Sequence, residues 1–127
     1  MRKTVLLVDD SKTVREIIKV YLMGQDIEFV EAENGVRALQ VARLKLIDLI
    51  FADVNMPEMD GITLVQQLRA SAQGTVSRIP VVMLTGEKDE TLLDRAKDAG
   101  ANAFVNKPVA AKPILELFQR FALGLAT

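Results

Sequence analysis

Val5-Leu6-Leu7-Val8-Asp9-Asp10-Ser11 is an unbroken apolar run that stops on two carboxylates and a hydroxyl, and the residues after it change period. Val14, Ile17, Ile18, Tyr21 and Leu22 follow at i, i+3, i+4, i+7 and i+8, the spacing of a helix with one apolar face. Four consecutive apolar residues suit a strand covered on both sides, and Asp10-Ser11 can cap the helix that follows. Together they form one strand–helix unit with an acidic turn at its top.

The same alternation continues along the chain. Further apolar runs are Phe29-Val30, Leu49-Ile50-Phe51-Ala52, Val81-Val82-Met83-Leu84 and Ala103-Phe104-Val105, and three of the five runs are continuous rather than alternating. Helical spacing returns at Val36, Leu39 and Ala42, at Ile62, Val65 and Leu68, at Leu92, Leu93, Ala96 and Ala99, and at Ile114, Leu117, Phe118 and Phe121. Asn34-Gly35, Asp60-Gly61, Ala99-Gly100 and Lys107-Pro108 punctuate the pieces as turns. The pattern predicts an α/β fold of five strand–helix units, (βα)5, with right-handed crossovers and helices on both faces of an open, doubly wound parallel sheet. The small polar stretch from Ser71 to Ser77 reads as an exposed loop. Leu115, Ala122 and Leu123 read as the margin of a broad core face on the last helix, with a partner or dimer surface as the sharper reading. No repeat or linker interrupts the chain, so residues 1–127 are expected to form one domain.

Composition narrows the chemistry. Half of the 127 residues are hydrophobic, enough to bury a core, and 16 Lys+Arg against 17 Asp+Glu leave no global field to recruit nucleic acid or an anionic membrane. There is no cysteine and no histidine, which excludes disulfides, thiol nucleophiles, imidazole metal sites and a Ser-His-Asp triad. Nucleophile, acid–base and metal chemistry therefore fall to carboxylates, hydroxyls and lysines, and oxygen ligands favour hard cations such as Mg²⁺. The apolar stretch after Met1-Arg2-Lys3 is far too short for a signal-peptide core or a membrane span, so a soluble, cytoplasmic protein is expected.

In open α/β sheets the functional crevice lies beyond the carboxyl ends of the strands. The first strand ends on Asp9-Asp10, the third on Asp53 and the fourth on Thr85, while Lys107-Pro108 follows the fifth. Glu31-Ala32-Glu33, at the end of the second, suggests no role. If strands one and three are neighbours, Asp9, Asp10 and Asp53 converge, and three such carboxylates need protons or a cation among them. With a hydroxyl from Thr85 and an ammonium from Lys107 on the same rim, the pocket could neutralise a transferring phosphoryl group, with the central carboxylate as nucleophile.

These residues, in this order, resemble the response-regulator receiver domains of bacterial two-component systems, of the chemotaxis (CheY) type. The matching elements are Val8-Asp9-Asp10, Asp53-Val54-Asn55-Met56-Pro57 with Asp60-Gly61, Leu84-Thr85-Gly86, and Phe104-Val105-Asn106-Lys107-Pro108, so the resemblance covers essentially the whole sequence. It implies a flavodoxin-like sheet of order 2-1-3-4-5 and phosphorylation of Asp53. It implies Mg²⁺ held by Asp10, Asp53 and the backbone carbonyl of Asn55, with Asp9 bound through water or orienting those ligands. Lys107 would pair with the phosphoryl oxygens and precede a cis bond to Pro108, while Thr85 and Phe104 would form the switch. The implied partners are a sensor histidine kinase or phosphotransfer protein, and a downstream protein target docking on the fourth predicted helix, fifth strand and fifth predicted helix, with no nucleic acid or membrane. A monomer or a phosphorylation-linked dimer is expected, and no enzymatic activity beyond self-catalysed phosphoryl transfer and autodephosphorylation. Asn55 and Glu87 match the chemotaxis type; Val54 replaces its tryptophan, and Val109-Ala110 lack the common aromatic.

Singly, each signal has a bland reading: an Asp-Asp pair before a helix is ordinarily a cap, and a Lys-Pro pair a turn. Their joint placement carries the inference. A flavodoxin-like cofactor binder would need a hydroxyl- and glycine-rich loop where Asp9-Asp10 would repel a phosphate. An aspartate-nucleophile phosphatase would carry its nucleophile after the first strand. Two further readings keep the receiver fold itself: a receiver that belongs to a larger regulator or hybrid kinase, and a receiver-like scaffold that is never phosphorylated.

Overall fold

The continuous apolar runs are strands because both of their faces are covered. The computed structural model describes residues 2–86 and 90–125. It contains β1 (Lys3–Val8), α1 (Lys12–Tyr21), β2 (Ile27–Ala32), α2 (Gly35–Leu44), β3 (Leu49–Asp53), α3 (Gly61–Arg69), α4 (Gly74–Ser77), β4 (Val81–Thr85), α5 (Glu90–Ala99), β5 (Ala103–Asn106) and α6 (Ala111–Phe121). The five strands are all parallel in the order β2-β1-β3-β4-β5, as expected. This is the doubly wound α/β fold, and the reversal of strand order falls between β1 and β3.

Side chains of period two divide each central strand between two cores. Val5, Leu7, Leu49, Phe51, Val82 and Leu84 face α1 and α6, meeting Ile18, Leu22, Ile114 and Phe118. Leu6, Val8, Ile50, Ala52, Val81 and Met83 face α2, α3 and α5, meeting Leu39, Leu64, Leu68 and Ala96. β3 and β4 are buried along their whole length, whereas edge strand β2 is mostly half-buried. Ser11, Asn34 and Asp60 cap α1, α2 and α3, each accepting a hydrogen bond from the backbone N–H three residues on. Tyr21 at the end of α1 donates its hydroxyl to the Val109 carbonyl at 3.4 Å, tying that helix to the loop before α6.

The structure corrects two expectations. Ser71 to Ser77 is not all exposed loop, because Gly74–Ser77 forms the single turn α4, whose Val76 is buried among the residues of the α3 side. The predicted fourth and fifth helices are accordingly α5 and α6. Val36 is exposed, and the inner face of α2 is formed by Ala38, Leu39, Val41 and Ala42. Ala122 is buried and Leu115 packs against the α1–α6 core, as a broad core face requires, while Leu123 stays exposed. Among the described residues, no helix is long and apolar enough to cross a membrane.

Candidate functional site

The carboxyl ends of β1 and β3 lie side by side, so Asp9, Asp10 and Asp53 meet at the switch in strand order. One carboxylate oxygen from each lies within 4.8 Å of the others. Asp9 and Asp53 are buried and Asp10 is exposed, which gives the cluster a closed floor and an open mouth. Lys107 reaches in from the end of β5, its Nζ 3.0 Å from an oxygen of Asp9 and 3.0 Å from one of Asp53. The N–H of Lys107 donates to the Thr85 carbonyl at 2.8 Å, and its bond to Pro108 is cis.

The backbone holds the acidic groups in place. Asp9 Oδ1 accepts the Ser11 N–H at 2.8 Å, and Asp53 Oδ1 accepts the Asn55 N–H at 3.1 Å. Asp9 Oδ2 is buried and accepts no hydrogen bond of good geometry despite its ion pair with Lys107. Burial pushes the Asp9 carboxyl above its ordinary value, against the opposing pull of the Ser11 N–H and Lys107, and the nearby Asp53 charge adds to the rise. For Lys107, burial alone acts to depress the ammonium. Its contacts with Asp53 and Asp9 outweigh that effect and hold it above its usual range.

Three clustered carboxylates and one ammonium leave excess negative charge, and a buried carboxylate oxygen without a directed donor adds to it. The donor set is all oxygen and partly open to solvent, so the residues present fit a hard divalent cation such as Mg²⁺. Thr85 is fully buried at the end of β4, and Phe104, opposite Met83 in β5, is half-buried against the α3–α5 side. Asn55 is exposed on the loop after β3. The structure thus brings Asp9, Asp10, Asp53 and Lys107 together directly, with Asn55, Thr85 and Phe104 on adjoining segments. Glu87 lies outside the described residues.

Sequence reasoning missed the residues that support this site. Gly61 starts α3 against the backbone of Asp53: a Cβ there would collide with the Asp53 carbonyl oxygen and come within 2.5 Å of Met83 Cε. The Gly61 N–H also donates to the Val54 carbonyl at 2.9 Å, drawing the loop over β3. Glu58, within that loop, has φ of 67°, a left-handed conformation that non-glycine residues seldom adopt. Glu31, which had suggested no role, binds Arg15 and Lys19, each at 2.9 Å. Arg15 lies three and seven residues before Ile18 and Leu22, so its inward position was legible in the helical spacing.

Comparison with known proteins agrees with this geometry. The family model described as the response regulator receiver domain matches residues 5–119. The transcriptional regulatory protein SrrA of Staphylococcus aureus is 32% identical over 115 residues, covering 91% of this chain and 46% of that protein. The chain therefore spans about half the length of the curated relatives it matches. Among solved structures, the Vibrio cholerae chemotaxis response regulator CheY4 is similar with a TM-score of 0.85 and 32% identity, covering 95% of this chain and 99% of that one. The signal receiver domain of a signal transduction histidine kinase from Syntrophus aciditrophicus also gives 0.85 and 32%, covering 97% and 92%.

Proposed function

Since the chain belongs to the response regulator receiver domain family of two-component signalling, we propose that it is a phosphorylation switch in which the Asp53 carboxylate accepts a phosphoryl group beside a bound divalent cation. The observation that carries the reading is the grouping of Asp9, Asp10 and Asp53 with Lys107 Nζ 3.0 Å from two of them. An Asp53 oxygen attacks the phosphorus of a phosphohistidine or a small acyl phosphate. A P–O bond to Asp53 forms as the bond to the leaving group breaks, and that group departs with the former bonding pair. Water later attacks the acyl phosphate, releasing inorganic phosphate and restoring Asp53.

Asp10, Asp53 and the carbonyl of Asn55 would hold Mg²⁺, with Asp9 orienting that shell. When bound, Mg²⁺ supplies positive charge to the equatorial phosphoryl oxygens. Lys107 supplies a second, fixed positive charge, and Thr85 donates its hydroxyl to the new phosphoryl group. Movement of Thr85 frees space for the Phe104 ring, which changes the surface of α5, β5 and α6. The phosphoryl donor is a sensor histidine kinase or phosphotransfer protein, and the target is a protein that reads that surface.

The test is intact mass after incubation with Mg²⁺ and acetyl phosphate, quenched in acid. One phosphoryl adduct is expected in the wild type and none in Asp53→Asn or a metal-free control. Full incorporation in Asp53→Asn would refute the assignment of Asp53. No adduct in any sample, together with no binding of beryllofluoride, would indicate a scaffold.

A further inference from the structure

Asp10 is the exposed member of the acidic cluster, and among the described residues its carboxylate has no hydrogen bond or ion pair of its own. Its position therefore depends on the peptide that joins it to Asp9. That peptide is held from behind by Arg15, whose Nη1 donates to the Asp9 carbonyl at 2.5 Å. The Asp9 N–H donates in turn to the Ala32 carbonyl on β2 at 3.2 Å.

Arg15 is itself locked. Its side chain is 9% exposed, and its Nε lies 2.9 Å from Glu31 Oε1 at the end of β2. Glu31 also receives Lys19 at 2.9 Å, so the carboxylate that fixes the guanidinium is pinned by a second cation one turn further along α1. A buried guanidinium with both a carboxylate and a carbonyl on its rigid fork loses little further freedom when it holds the peptide. The same three groups join the ends of β1 and β2 to α1, directly behind the pocket.

We propose that Arg15 is a positioning residue for the acidic pocket: by clamping the Asp9–Asp10 peptide against Glu31 it aims the Asp10 carboxylate toward Asp53, and so sets the affinity for the divalent cation. This inference rests on the reading that a divalent cation binds there. Groups one shell behind a metal's ligands orient them, and their loss typically weakens metal affinity by about 10–100-fold.

The experiment is calorimetric titration of the folded protein with Mg²⁺, comparing the wild type with Arg15→Met and Glu31→Gln, alongside acetyl phosphate labelling rates over a range of Mg²⁺. Arg15→Met removes the clamp but keeps an unbranched side chain in the buried position. Glu31→Gln loosens the guanidinium without opening a cavity, and is the decisive variant if Arg15→Met does not fold. The expected result for Arg15→Met is a dissociation constant raised about tenfold or more. Glu31→Gln should raise it by a smaller factor. In both, the Mg²⁺ concentration giving half the maximal labelling rate should rise with the dissociation constant, the maximal rate changing less. Unchanged Mg²⁺ affinity in either folded variant would overturn the proposal. Failure of the wild type itself to bind Mg²⁺ would instead overturn the metal-site reading on which it rests.

Discussion

At the scale of single residues, the pocket places function and stability in opposition. Asp9 is buried and its carboxyl is raised above the ordinary value of 3.8, chiefly by that burial, so in the metal-free protein its negative charge costs folding free energy. The cost is fully present at neutral pH and disappears as pH falls through the folded-state value and then the unfolded one. Asp9→Asn should therefore raise the metal-free thermal midpoint at pH 7, and the difference should shrink toward about pH 3–4. Midpoints measured across that range, with and without Mg²⁺, check it. Added Mg²⁺ should stabilise the wild type more than the variant, because a ligand stabilises in proportion to its affinity for the folded state. Glu31 has the opposite sign: Lys19, and after it Arg15, hold its carboxyl below the usual range, so its contribution is kept above that range and lost on acidification. That Asp9, Asp53 and Lys107 come together was legible because each sits at or just beyond a strand end. The pairing of Arg15 with Glu31 was not, since it joins residues 16 apart whose proximity depends on how α1 packs beside β2.

At the scale of elements, the five strand–helix units were legible because apolar periodicity is a local property, and the two-sided burial of β3 and β4 gave it an unbroken form. α4 escaped because only tertiary packing, through Val76, distinguishes its one turn from a polar loop. The Arg69 anchor escaped for a related reason. Its guanidinium donates to the carbonyls of Ser77, Ile79 and Gly100 and to Asn102 Oδ1, joining α3 to α4 and to the approaches of β4 and β5. A lone arginine at a helix end carries no mark of four distant acceptors. Gly61 is the sharpest case, since a glycine beside Asp60 looks like an ordinary turn until α3 is seen against β3. Gly61→Ala should cost roughly 1–3 kcal/mol, the range of overpacking, because the nearest atom is backbone rather than a side chain that can move aside. Chemical denaturation should show that loss. Labelling by acetyl phosphate should also slow, since the atoms that must give way include the backbone of Asp53, the proposed phosphoacceptor.

At the scale of the whole molecule, the sheet separates two cores, and at its carboxyl edge the acidic cluster gathers residues from just beyond β1, the end of β3 and the turn after β5. Among the described residues, Lys107 is the group that touches the acidic cluster and also continues into the segment leading to α6. Lys107→Ala should leave Mg²⁺ binding largely intact while uncoupling Asp53 phosphorylation from the response of α5, β5 and α6. Amide NMR shifts on adding beryllofluoride measure that, and a response equal to wild type would contradict it. The bond from Tyr21 to the Val109 carbonyl spans the same segment from the other side, two residues past Lys107. Tyr21 is the only tyrosine in a chain without tryptophan, so all of the protein's ultraviolet emission excited above the phenylalanine band comes from a phenol hydrogen-bonded to the loop before α6. The proposed switch would thus have an intrinsic optical gauge: Mg²⁺ with beryllofluoride should alter that emission in the wild type and leave it unchanged in Asp53→Asn, with no dye or engineered fluorophore.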